Sequence, residues 1–225
     1  MKKRVVSLIC CVVLAACGGQ AQNKQAQTTK TMDAETITLA APQESGATLM
    51  DALEARASVR SYSDEGLTLE QLSGIMWAAA GQTRPDGKLT APSAMALYPI
   101  KVYAVIPNGI YLYDSKEHKL TLVKKGDYMK LTGLQDFVYT APLNIMYIAD
   151  LDAYAERLGN MSEADKLRLC ALDAAGYCQN ANLWAAGYGM GAVTRGGAHG
   201  PEFLKTIEAP ESYRFILAQT VGIPK

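Results

Sequence analysis

Two short polar-apolar patterns near the start of the folded part of the chain announce helices. Thr48-Leu-Met-Asp51 and Thr68-Leu-Glu-Gln71 have the form of capping boxes and predict helices over 49–56 and 69–80. The apolar period then shortens. "IKVYAVI" (100–106), "IYLYD" (110–114) and "KLTLVK" (119–124) are separated by turn residues and predict a meander of antiparallel strands. "LNIMYIAD" (143–150) and "RFILAQTVG" (214–222) are apolar enough to be central strands. Between them lies the longest helix, opening at Ser162-Glu-Ala-Asp165, running to Tyr188 and ended by Gly189. Its apolar residues spread over most of its circumference, as expected of a helix buried on several sides. Helices on a mainly antiparallel sheet make the fold class α+β, with no strand-helix alternation of the doubly wound kind.

The first residues follow another logic. Lys2, Lys3 and Arg4 precede an apolar run over 5–16, which is too short to span a bilayer as a permanent helix and reads as a signal peptide (1–16). The run ends in Leu14-Ala15-Ala16-Cys17, which resembles a bacterial lipobox and would leave Cys17 as a lipidated N-terminus anchored in the cell envelope. Residues 17–46, rich in Gln, Ala, Thr and Gly, read as a flexible tether, leaving 47–225 as the folded domain. An ordinary secreted protein is the alternative.

Composition narrows the function classes. The 225 residues carry 22 basic and 22 acidic side chains with no basic run, so the electrostatic footprint of a nucleic-acid binder is missing. Cys170 and Cys178, eight positions apart on one predicted helix, are separated by about 12 Å of helical rise and read as buried thiols rather than a disulfide. No Cys-x-x-Cys or His/Cys cluster occurs, and the histidines are His118 and His199, which argues against a metal site. Trp77 and Trp184 read as core.

Three segments carry candidate chemistry. In "EARASVRSY" (54–62), extended chain would place Arg56, Ser58 and Arg60 on one side, with Ala57 and Val59 toward the core. Two guanidinium forks and a hydroxyl form a phosphate cradle; an amphipathic edge with solvated arginines is the plainer reading. "APSAMALYP" (91–99) suits a loop that approaches something flat. "GYGMGAVTRGGAHG" (187–200) has glycines that let backbone amides point inward, though it follows a helix and so is not a dinucleotide fingerprint.

In this order and spacing, together with "GYCQNANLWAAGYGMGAV" and a closing "TVGIP", the segments resemble the FMN-dependent nitroreductase family over nearly all of residues 48–224. "PSAMALYP" looks most like the branch containing thiazole/oxazole dehydrogenases. The resemblance implies a homodimer with two interfacial FMN sites. Arg56, Ser58 and Arg60 would hold the FMN phosphate and ribityl chain. Pro92, Ser93 and Ala94 would come from the partner subunit to line the isoalloxazine ring, and Thr194, Gly196 and Gly197 would offer backbone N–H groups on its other side. Gln135 would approach the flavin or sit on the surface; His199 reads as an ordinary loop histidine. NAD(P)H or another donor would supply a hydride, which a nitroaromatic, quinone or related small acceptor would take in the same slot. Two departures stand out: Ala96 replaces an amide side chain of many members, and the chain stops at Lys225 where many continue to a basic phosphate ligand. A non-catalytic lipoprotein binding module and an azoline-type dehydrogenase are the rival functions.

Overall fold

In the computed structural model, which describes residues 27–225, both capping boxes form. Thr48 accepts from the Asp51 amide and opens α1 (Leu49–Ala55), and Thr68 does the same with Gln71 to open α2 (Leu69–Ala80). The strands are β1 (Thr36–Thr38), β2 (Ile100–Ile106), β3 (Gly109–Asp114), β4 (Lys119–Lys125), β5 (Leu143–Asp150), β6 (Gly191–Arg195) and β7 (Tyr213–Gly222). They form a seven-stranded sheet in the order β1-β4-β3-β2-β5-β7-β6, antiparallel at every pairing. The short helices α3 (Asp136–Thr140) and α4 (Ala155–Leu158), the long α5 (Glu163–Gly187) and α6 (Gly200–Thr206) complete the α+β fold.

The two-residue period of β2 and β5 explains why they are central. Ile100, Val102, Ala104 and Ile106 of β2 and Leu143, Ile145, Tyr147 and Ala149 of β5 face a core shared with α2 and α5. Tyr103 and Val105, with Met146 and Ile148, face a second core closed by Met129 and by Phe203 of α6. Both faces of these strands are covered, so they read as continuous apolar runs rather than as alternation.

Two expectations need correction. Residues 28–39 are not a tether. Thr29 donates its amide to the Leu67 carbonyl at 2.8 Å, β1 pairs with β4, and Met32, Ile37 and Leu39 are buried in the main core. The signal-peptide segment and Cys17 lie outside the described residues. Secondly, α5 is buried along one stripe, Cys170, Asp173, Ala174, Tyr177, Cys178, Ala181 and Ala185, while Leu172 is 62% exposed. The apolar positions elsewhere on its circumference do not all contact this chain's core. The glycine-rich stretch after α5 holds β6 and leads into α6.

The C-terminal end of α5 sets the entry into β6. Gly189 takes φ +67°, its amide donates to the Ala186 carbonyl at 3.1 Å, and the Met190 amide donates to Ala185 at 2.8 Å. This is the double closure of a Schellman motif, which turns the chain sharply at a residue that carries no Cβ penalty.

Candidate functional site

Residues 56–60 leave α1 and run along the free edge of β6. Ser58 pairs in parallel with Ala192, and the Val59 amide donates to the Ala192 carbonyl at 3.1 Å. The approach requires glycine opposite: a Cβ on Gly191 would stand 2.7 Å from that of Val59. Val59 is half-buried against this strand, but Ala57 is exposed, because the segment borders the sheet instead of lying over it. Ser58 and Arg60 are solvent-facing and Arg56 is half-buried. Tyr62, buried, anchors the segment by donating its hydroxyl to the Val59 carbonyl at 2.5 Å; desolvation pushes its phenol well above the usual range, so it stays protonated. The chain end returns to the same place. Ser63 donates its amide to Ile223 at 2.8 Å and Lys225 donates its amide to Ser61 at 3.3 Å.

Between this segment and the turn after β6 lies a cavity of about 470 Å³, lined by Arg60, Leu134, Gln135, Thr194, Arg195, Gly196 and Gly197. Four of the residues singled out by sequence therefore meet: Arg60, Thr194, Gly196 and Gly197. Gln135, itself exposed, also lines the cavity. Gly196 faces open space, with no atom within 4 Å of where a Cβ would project. Arg56 and Ser58 belong to the same edge segment but do not line the cavity. His199 does not line it either; it precedes α6, donates its amide to the Leu131 carbonyl, and its ring lies 3.8 Å from Glu202.

Arg195, which the sequence reading passed over, forms the cavity's buried wall. Its Nε donates to Thr220 at 3.2 Å, Nη1 to the carbonyls of Thr132 (2.7 Å) and Gly197 (3.2 Å), and Nη2 to Asn144 Oδ1 at 3.3 Å. Every one of these acceptors is neutral. Burial lowers the guanidinium pKa to about 10, which leaves it charged at neutral pH. Thr194 is held by a second network. Asn182 donates to Thr194 Oγ1 at 3.3 Å, Gln219 donates to Asn182 Oδ1 at 2.8 Å, and Tyr147 donates to Gln219 Oε1 at 2.7 Å. These polar groups lie on β5, β7 and α5, inside stretches whose apolar pattern hides them.

The 92–98 loop stands apart from this cavity within one chain; Pro92, Ser93 and Ala94 do not line it. Met95, Ala96 and Tyr98 all have positive φ (56°, 54° and 48°), a conformation costly for side chains with a Cβ. Asp173 holds the loop. Its carboxylate accepts from Ser93 Oγ at 2.5 Å and from the Ala94 amide at 3.3 Å, while Ser93 Oγ accepts from the Tyr98 amide at 2.9 Å. Asp173 is 5% exposed, and desolvation pushes its carboxyl above the ordinary range against the pull of these bonds. Arg157 adds a bond to the Met95 carbonyl at 3.0 Å.

Cys170 and Cys178 are free buried thiols. Trp77 and Trp184 are not simply core. Both line a cleft of about 290 Å³ beside α1, and Trp184 stacks on Tyr188 with ring centroids 3.7 Å apart.

Comparison with known proteins gives the arrangement its family. The nitroreductase family model matches residues 53–223. A Methanocaldococcus jannaschii nitroreductase-family protein, MJ1384, is 30% identical over 173 residues, 72% of this chain and 85% of that protein. A crystal structure of a nitroreductase-type protein from Ralstonia eutropha JMP134 superposes with a TM-score of 0.78 at 35% identity, covering 89% of this chain and 94% of that one. The NADPH:FMN oxidoreductase of Vibrio harveyi, complexed with NAD+, shares the fold at a TM-score of 0.58 and 19% identity, over 79% of this chain and 69% of that one. The chain belongs to the nitroreductase family and is an FMN-linked oxidoreductase.

Proposed function

We propose that the chain holds FMN in the cavity between Arg60 and the turn after β6, and passes a hydride from NAD(P)H or another donor to a nitroaromatic, quinone or related small acceptor. The observation that carries the reading is that one cavity gathers Arg60 with Thr194, Gly196 and Gly197, which lie far from it in sequence. The donor set fits the cofactor. Arg60 in the cavity, with Arg56 and Ser58 on the same edge segment beside it, supplies cationic forks and a hydroxyl that can donate to phosphate oxygens, and the exposed backbone of Gly196 and Gly197 lets amides approach a flat ring without a side chain between. Bound FMN supplies hydride chemistry that no protein side chain here can provide. The protein's part is to orient the ring, donate hydrogen bonds where negative charge collects, and exclude water.

The reading includes a homodimer in which Pro92, Ser93 and Ala94 of a second copy cover the ring. Leu49 (66% exposed), Met50 (62%), Leu53 (46%) and Met95 (51%), with Leu172 on α5, support it as apolar residues for a second subunit to bury. It also includes lipidation at Cys17 and a cell-envelope location, supported by the lipobox-like Leu14-Ala15-Ala16-Cys17. The test is FMN retention. The protein incubated with FMN and desalted should stay yellow, and Arg56→Ala/Arg60→Ala should weaken binding by tenfold or more, since each charge-assisted contact contributes about 1.5–3 kcal/mol. Unchanged affinity in the double variant would refute the cradle.

A further inference from the structure

Among the described residues, Arg195 is a buried cation with no carboxylate within salt-bridge distance. Its four hydrogen bonds go to two carbonyls, an amide oxygen and a hydroxyl, which satisfy its N–H groups but leave its charge uncancelled. A buried charge without a counterion is costly, and its field is weakly screened by the surrounding protein. The residue lines the same cavity as Arg60 and Gly197, its guanidinium bonded to the Gly197 carbonyl in that lining, and no acidic residue lines the cavity. Tyr62 stands near it but is neutral across the accessible pH range.

We propose that Arg195 sets the redox balance of this site, its unpaired charge favouring the electron-rich reduced state of the bound flavin over the oxidised one. The proposal rests on the FMN reading above. A hydride brings two electrons and one proton from the donor, so uptake adds one negative charge to the flavin. Arg195 stabilises that charge from the protein side and needs no proton transfer of its own. Its bonds to Thr132 and Gly197 give it a second task, fixing the turn that carries Gly196 and Gly197.

Potential measurements on the FMN-loaded full-length protein separate the two tasks. Arg195→Gln removes the charge while keeping hydrogen-bonding capacity; Arg195→Lys keeps the charge and loses most of the clamp. The expected result is a fall in the two-electron potential of Arg195→Gln corresponding to about tenfold or more in the reduced-to-oxidised ratio, or about 30 mV, with Arg195→Lys close to the parent. FMN bound by both variants at an unaltered potential would overturn the proposal and leave the FMN reading intact. FMN bound by neither variant nor the parent would overturn both. Should Arg195→Gln not fold, the parent decides through the spectrum of its photoreduced flavin. The reduced flavin should keep its anionic absorbance at acid pH, where free reduced FMN takes up a proton, and protonation in step with free FMN would overturn the proposal.

Discussion

Ser93 donates to Asp173 at 2.5 Å across 80 positions of sequence, tying a strained loop to the middle of the longest helix. Three non-glycine residues beyond Ser93 adopt left-handed backbone, and this bond, the Ala94 amide and the Arg157 contact are what hold them there.

Removing the acceptor should release the loop. Asp173→Ala removes the acceptor of Ser93 Oγ and of the Ala94 amide, both half-buried, a loss of about 0.5–1.5 kcal/mol for each hydrogen bond. Hydrogen exchange at 93–98 should rise well above that of β2 next to it. Protection unchanged in the variant would show that the loop is held by something else.

Asp173 also gives a signed pH dependence. Its carboxyl is raised above the ordinary 3.8, so the native state binds its proton more tightly than the unfolded chain does. The native state is therefore favoured while pH lies below that value, and the contribution is lost as pH rises through the raised native pKa. Chemical denaturation of the parent and of Asp173→Asn from pH 4 upward should show the parent losing ground to the variant as pH increases. A constant difference across that range would contradict it.

The N-terminal segment should matter to stability. Leu39 is 6% exposed and Ile37 8%, both packed in the main core. Replacing Leu39 with Ala should cost about 2–5 kcal/mol, lowering the midpoint of denaturant unfolding. A variant as stable as the parent would restore the tether reading.

Packing between α2 and α5 leaves no room at Gly74, where a Cβ would run into the Trp184 ring. Gly74→Ala should destabilise by about 1–3 kcal/mol through overpacking, despite alanine's better helix propensity. Calorimetry would read this directly, and a stabilised variant would show that Trp184 swings freely.

Much of the scaffold was legible because local chemistry and tertiary structure agree. The two capping boxes, the meander and the interior strands β5 and β7 fall where their patterns place them. The strand β6 was not legible because its few β-branched residues, Val193 and Thr194, sit among glycines, one of which, Gly191, is needed there to admit Val59. The stretch before α1 looked like tether because its polar composition masks Met32, Ile37 and Leu39, which are spaced to reach the core singly. Arg60, Thr194, Gly196 and Gly197 line one cavity, whereas Arg56, Ser58, Pro92, Ser93 and Ala94 do not. Arg195 and Asp173 were not legible, since a buried charge is defined by partners far away in sequence: Thr132 and Asn144 for one, Ser93 for the other.

The most direct measurement is an anaerobic one. Full-length protein loaded with FMN and freed of excess should lose its visible flavin absorbance when NADPH, NADH or dithionite is added, and regain it when a quinone or nitroarene follows. Recovery with stoichiometric conversion of the acceptor is the predicted result. A protein that retains no FMN, or whose bound FMN is reduced by dithionite and then reoxidised by no acceptor, would contradict the account.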